Sequence, residues 1–311
     1  MTTLASRFKF ASAPDSWGVL DYPGPSWEQS YQTMLDEMVV AGYNGTELGP
    51  YGFFPTDPQV LVKDLSTRNL KLLGSFVPAN LGDPSATKIV VDHITKVGGL
   101  LAAAGAPFLV LADAQSDERD RIAGRVPRDG SAGWTAKQWQ QVAKVVAEAA
   151  KVTADFGLDL VFHPHVSTYV ETAEETEQFF DVTSASKIGL CLDTGHCDYA
   201  GDDSIAEAEK YRDILRFVHI KDVDQKVLTE AREKKMTFEQ AIEIHAFTII
   251  GQGSIDFPEF FRVLAKNNYS GWMVVEQDVK FGHTVIPPVE SVAASLRYLR
   301  SVVSELEVPA Q

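Results

Sequence analysis

The feature that most constrains this chain is a rhythm: eight short apolar runs, each followed by a longer stretch with helical spacing. The runs are FKFASAP (8–14), GTEL (45–48), LKLLGSF (70–76), PFLVLA (107–112), LDLVFH (158–163), KIGLCLD (187–193), ILRFVHI (214–220) and GWMVVEQ (271–277). Strand patterns that alternate with helical ones read as repeated βα units around a parallel sheet. Eight such units in 311 residues, with no Pro/Ser-rich linker between them, predict an α/β fold of the (β/α)8 TIM barrel type. The expectation is a single domain over 1–311. The competing architecture, a doubly wound open sheet, normally carries a glycine-rich phosphate turn after its first strand, and SAPDSWGVLDYPG is not a G-x-G-x-x-G turn.

The helical stretches carry their own punctuation. In TAKQWQQVAKVVAEAAKVTADFG, Thr135 is a predicted N-cap, Trp139, Val142, Val146 and Ala149 form one stripe, and Gly157 is a stop. Two connections are far longer than ordinary βα loops: 113–134 after the fourth strand, and 223–253 after the seventh, which contains a helical insert. Both leave strand C-termini, the face on which barrels build their sites. The first, with Arg121, Arg125 and Arg128 among acids, is expected to be a lid or a partner-facing arm.

Charge narrows the function. A net charge of −15 opposes binding to nucleic acid or to an acidic membrane, because phosphate recognition needs a surplus of Lys and Arg. A small-molecule substrate is the expected partner, with room for a homo-oligomer. The two cysteines, Cys191 and Cys197, lack zinc-ribbon or disulfide spacing and read as free thiols. No run reaches the roughly 20 apolar residues that span a bilayer, so a cytoplasmic protein is expected.

Polar residues gather where the strands end. Glu47 closes the second run, His163 and His165 follow the fifth, Asp193 the sixth, His219 and Lys221 the seventh, and Glu276 the eighth. Alternate residues of a strand share a face, so His163 goes with His165, His219 with Lys221, and Glu276 with Asp278. Singly, each has a plain explanation: a strand-end His is often only hydrogen-bonded, and a terminal Asp usually caps the next helix. Together they would crowd one concave mouth with charge, which is costly unless a metal or substrate pairs them. Asp193, His219, Glu276 and a fifth-strand group offer mixed nitrogen and oxygen donors of the kind Mn²⁺, Co²⁺, Fe²⁺ or Zn²⁺ accept, whereas Ca²⁺ wants oxygen alone.

With these residues in view, the chain resembles the xylose-isomerase-like barrel superfamily of sugar isomerases, epimerases and type IV endonucleases. Within it the sequence is similar to the inosose (2-keto-myo-inositol) dehydratase branch. The resemblance rests on APDSWGV (13–19), GYNGTELGPYGFFP (42–55), HPHVSTYVET (163–172), CLDTGHCDYAGDD (191–203), HIKDV (219–223), the insert ending in GQGSIDF (251–257) and NNYSGWMVVEQD (267–278). It implies a divalent metal held by Asp193, His219 and Glu276. Mn²⁺ and Co²⁺ are the first choices, with Zn²⁺, Fe²⁺ and Mg²⁺ as alternatives. Superfamily members commonly add a glutamate from the fifth strand. Here His163 stands in that place, as a histidine does in the dehydratase branch, with Glu171 a more distant substitute.

The implied chemistry is removal of the proton beside a polarised carbonyl. If a β-hydroxyl then leaves as water, the enzyme is a dehydratase on a keto-cyclitol or keto-sugar. A larger β-leaving group, such as the aglycone of a 3-keto-glycoside, could depart by the same route. If the proton returns elsewhere, the enzyme is a sugar isomerase or epimerase working through an enediolate. A sugar-binding protein without turnover is the non-enzymatic alternative, and the negative charge opposes an endonuclease. The catalytic candidates are His165 as base or acid, Lys221 for an oxyanion, and Glu47 for a hydroxyl or a proton. Trp17 is expected as an apolar wall against the substrate. His196 is expected at the substrate or behind a ligand, and Cys191 as core filling beneath the site.

Overall fold

The computed structural model describes residues 3–20 and 29–307. Its barrel strands are β1 (Phe8–Ser12), β2 (Gly45–Thr46), β3 in two pieces (Lys71–Leu72 and Phe76–Ala79), β4 (Phe108–Asp113), β5 (Asp159–Phe162), β6 (Gly189–Asp193), β7 (Leu215–Ile220) and β8 (Gly271–Val275). All neighbours pair in parallel, and β1 lies between β8 and β2. The two pieces of β3 end the hydrogen-bonded order on opposite sides, and the residues between them bridge the gap. Leu73 N donates to Thr46 O and Leu48 N to Gly74 O on one side, while Phe108 N donates to Leu73 O and Val110 N to Ser75 O on the other. The sheet is therefore a closed (β/α)8 barrel, as the eightfold rhythm predicts. The expected first strand runs too far: after Ser12 the chain turns into a 3₁₀ segment, Pro14–Trp17, because Pro14 has no N–H for the ladder.

Period-two alternation divides the core. Ala11, Leu73, Val110, Val161, Cys191, Phe217 and Val274 fill the barrel interior, with Phe108 and Phe217 stacked at 4.6 Å. The intervening Leu72, Leu109, Leu160, Leu190, Val218 and Val275 face the helices. Cys191 is core filling, as expected. The helix Ala136–Asp155 starts at Thr135 through a reciprocal capping box with Gln138 and buries Trp139, Val142, Val146 and Ala149.

One irregularity sets the site. Leu190 pairs with Leu215 but Cys191 pairs with Phe217, so Arg216 is an extra residue on β7. An unbroken register would set Asp193 opposite Val218, which points at the helices. The bulge instead sets Asp193 opposite His219, on the inner face. Gly189 accommodates it, since a Cβ there would lie 2.6 Å from the Arg216 side chain.

The insert after β7 comprises the helices Gln225–Glu233 and Phe238–Glu243 and is closed by an antiparallel pair, Asp222–Val223 with Phe247–Thr248. Its return strand wraps around one carboxylate. Asp222 Oδ2 accepts from Gly251 N and Gly253 N at 2.8 and 2.9 Å, and Oδ1 accepts from Val223 N and Ile255 N at 2.9 and 3.2 Å. A Cβ on Gly253 would lie 2.2 Å from Asp222 Oδ1, so the GQGSIDF segment needs glycine there.

The 113–134 connection is pinned rather than free. Arg119 is fully buried and forms a two-pronged ion pair with Glu175 at 2.7 and 2.9 Å. Asp120 Oδ1 accepts from Ser167 Oγ and from Phe238 N, both at 2.9 Å, which ties this connection to the β5 loop and to the insert. Among the described residues, no helix is long and apolar enough to cross a membrane.

Candidate active site

A cavity of about 280 Å³ opens at the C-terminal mouth of the barrel. Its apolar walls come mainly from the first four strands and their loops: Ala13, Pro14, Val19, Leu20, Pro50, Phe76, Pro78 and Ala114. Its histidines and its lysine come from the later ones: His163, His165, His219 and Lys221. Phe238, from the insert, closes the polar side. The pairs expected from strand alternation, His163 with His165, His219 with Lys221 and Glu276 with Asp278, all reach this cavity.

At its base the donors converge. His163, Asp193 and His219 present ligand atoms within 4.8 Å of one another, and so do Glu47, His219 and Glu276. All five residues are buried. Asp193 does two jobs: Oδ1 accepts from His196 N at 2.9 Å and caps the following helix, while Oδ2 faces the site. His163 Nδ1 lies 2.7 Å from the Pro164 carbonyl, which can only accept, so Nδ1 donates there and Nε2 is the nitrogen that faces the site. Nε2 lies 3.4 Å from Asp193 Oδ2.

His219 repeats the motif. Nε2 lies 3.2 Å from Glu47 Oε1, and buried Nδ1 makes no hydrogen bond although Glu276 Oε2 is 3.1 Å away and Asp193 Oδ2 3.9 Å. Two imidazole nitrogens thus stand close to carboxylate oxygens, and the mixed nitrogen and oxygen donor set suits a divalent transition metal.

Lys221 supplies positive charge at the same place. Its Nζ lies 2.8 Å from Asp193 Oδ2 and 2.5 Å from Glu276 Oε2. Burial opposes the Glu276 carboxylate, but His219 and Lys221 outweigh it and hold the pKa at about 2. Burial works on Asp193 too, and Lys221, His196 and His163 overcome it, keeping this carboxyl well below the usual range.

His165 stands above His163. Its Nδ1 donates to the Val166 carbonyl at 2.7 Å, which leaves Nε2 unprotonated. Burial, and then the neighbouring His163, push its pKa down to about 3, so the ring is neutral at pH 7. His196 packs behind it with ring centroids 3.8 Å apart.

Two expectations need correction. His196 is buried behind His165 and is absent from the cavity wall, because the helix Thr194–Ala200 carries it outward from the end of β6. Trp17 is also buried away from the cavity. The 3₁₀ turn rotates it toward the helix Tyr31–Ala41, where its Nε1 donates to Glu37 Oε2 at 2.6 Å. Glu171 is likewise committed elsewhere, accepting from Gly124 N and Ser167 N at 2.7 and 2.8 Å.

The structure adds acids that were not among the candidate catalytic or metal-binding residues. Asp15, Asp113 and Asp278 all line the cavity. Burial pushes Asp113 up to about 7 although Leu81 N and Tyr169 N donate to it. Asp278 was on the page as the alternation partner of Glu276, and Asp113 as the residue after the fourth run. Phe76 and Phe238 carried no signal as wall residues.

Comparison with known proteins agrees with this geometry. The family model described as xylose isomerase-like TIM barrel matches residues 35–302. An inosose dehydratase of Bacillus anthracis is 33% identical over 276 residues, covering 88% of this chain and 90% of that one. An inosose dehydratase of Clostridium botulinum is 28% identical over 303 residues, covering 96% and 99%. Among solved structures, the IOLI protein with a bound zinc atom superposes with a TM-score of 0.69 at 16% identity, covering 96% of this chain and 98% of that one, a likeness of fold. A closed barrel, donors on its C-terminal face and a near full-length match lead to one conclusion: the chain belongs to the xylose isomerase-like TIM barrel family.

Proposed function

We propose that this protein is a divalent-metal-dependent carbon–oxygen lyase that dehydrates a keto-cyclitol or keto-sugar, in the manner its inosose dehydratase relatives are named for. The observation that carries the reading is the convergence of two buried imidazoles on two buried carboxylates, His163 Nε2 at 3.4 Å from Asp193 Oδ2 and His219 Nδ1 at 3.1 Å from Glu276 Oε2. These four residues would hold the ion, with Mn²⁺ or Co²⁺ the expected choice from the donor set. When bound, a divalent ion supplies Lewis acidity toward a carbonyl oxygen.

The chain's own residues do the rest. His165 Nε2, neutral and free, accepts the proton from the carbon beside the carbonyl. The C–H electrons become the C=C bond, the β C–O bond breaks, and its oxygen departs as water with the proton that His165 has accepted. Lys221 stabilises the developing oxyanion, and Glu47 orients a substrate hydroxyl. Phe238 and Phe76 shield the reacting face from water.

The test is chelation and reconstitution. Protein stripped with EDTA should be inactive on an inosose, and Mn²⁺ or Co²⁺ should restore formation of a conjugated carbonyl product, read by ultraviolet absorbance. Full turnover by metal-free protein removes the metal from the reading. Conversion of a ketose to its epimer with no conjugated product turns the reading to epimerisation.

A further inference from the structure

We infer that Lys221 is a built-in counter-cation that competes with the divalent ion for Asp193 and Glu276, and that metal loading releases it toward the substrate end of the cavity. This deepens the reading above and rests on it. β7 lies between β6 and β8, and the register brings its inward residues level with the acids at both neighbours' ends: Asp193 opposite His219, and Glu276 just past the Val275–Ile220 pair. His219 and Lys221 therefore reach the same two carboxylates.

Lys221 contacts the very oxygens that face the histidine nitrogens. Its Nζ is 2.8 Å from Asp193 Oδ2, to which His163 Nε2 lies at 3.4 Å, and 2.5 Å from Glu276 Oε2, to which His219 Nδ1 lies at 3.1 Å. Lys221 is the only Lys or Arg among the described residues lining the cavity. It is also buried. A divalent ion that takes those oxygens competes with the ammonium for them, and the charge of the ion repels it. The ammonium has somewhere to go: Asp278 Oδ1 and Asp15 Oδ2 stand 3.6 and 3.7 Å from it, on the cavity wall. One lysine thereby balances the acids before the metal arrives and turns to the substrate afterwards.

The experiment is Mn²⁺ binding to chelator-stripped full-length protein by isothermal titration calorimetry, comparing wild type with Lys221→Met. Losing the competitor leaves two buried carboxylates uncompensated, so the variant should bind Mn²⁺ at least about tenfold more tightly, and Mn²⁺ should raise its melting temperature more than that of wild type. Equal or weaker binding by a folded variant overturns the inference and leaves the metal reading intact. Absence of Mn²⁺ binding in both proteins overturns both.

Crystal structures of wild type with and without Mn²⁺ decide the matter even where the variant fails to fold. The inference expects Nζ within hydrogen-bond distance of Asp193 and Glu276 only in the metal-free protein. An ammonium that keeps both contacts with Mn²⁺ bound overturns it.

Discussion

At the end of β5, two imidazoles two residues apart differ in what their free nitrogens meet. His163 Nε2 faces Asp193 Oδ2 at 3.4 Å, whereas His165, nearer the mouth, has its Nδ1 committed to Val166 O and packs on His196. Their loss should have separate consequences. His163→Ala should weaken Mn²⁺ binding in a calorimetric titration. His165→Gln should keep the metal but slow exchange of the substrate's α-proton with deuterated solvent by about 10²-fold or more, the usual scale of general acid–base catalysis. Wild-type exchange in the His165 variant would place the base elsewhere, with Glu47 and Lys221 next in line. These positions could be read from sequence because a strand has a period of two and its end is marked by the change from apolar to polar residues. Trp17 could not, because a 3₁₀ turn breaks that period and rotates the indole onto a helix.

Among the connecting elements, 113–134 illustrates how a charged run can deceive. Its charged residues suggest a lid or a partner-facing arm, yet Arg119 is wholly buried against Glu175, which lies far along the chain and gives no local sign of the pairing. The physical consequence is a buttress, against the first of those two expectations. Removing one member of such a buried pair strands the other charge, so Arg119→Ala should cost about 3–5 kcal/mol in urea unfolding. It should also speed tryptic cleavage at Arg121 and Arg125, while substrate should leave wild-type cleavage there unchanged. Ligand-dependent protection of the wild-type connection would restore the lid. The bulge at Arg216 was equally hidden, since an extra residue in a strand looks in sequence like any other, and only the paired partner reveals the offset.

Across the whole molecule, buried ionisable groups predict how the fold responds to acid. His165 has a pKa of about 3 when folded against about 6.5 when unfolded, so as pH falls from 6.5 the unfolded chain takes the proton first and stability is lost progressively toward pH 3. Glu276, at about 2 when folded, acts in the same direction below about pH 4.3. Carboxyls that burial raises, Asp113, Glu171 and Asp198 to about 7 and Asp278 to about 6, act in the opposite direction over this range, so the His165 contribution is read as the difference between the melting temperatures of wild type and His165→Gln from pH 7.5 to 5. The His165 share is on the order of 1 kcal/mol by pH 5, discounted because the ring edge reaches the cavity. His165→Gln should flatten that part of the profile, and an unchanged slope would assign it to other groups. The barrel itself was legible because eight apolar runs and their helical spacers repeat, whereas the split of β3 and the closure through Leu73 to Ser75 depend on backbone bonds to distant strands. Finally, the cavity is built unevenly: nearly all its apolar wall comes from β1 to β4 and their loops, and every lining histidine and lysine from β5 to β7. A lineage of such enzymes can inherit its chemistry from one half of the barrel and its taste in substrates from the other, so recombination near the 113–134 connection would exchange the recognition half and pass the reactive half on intact.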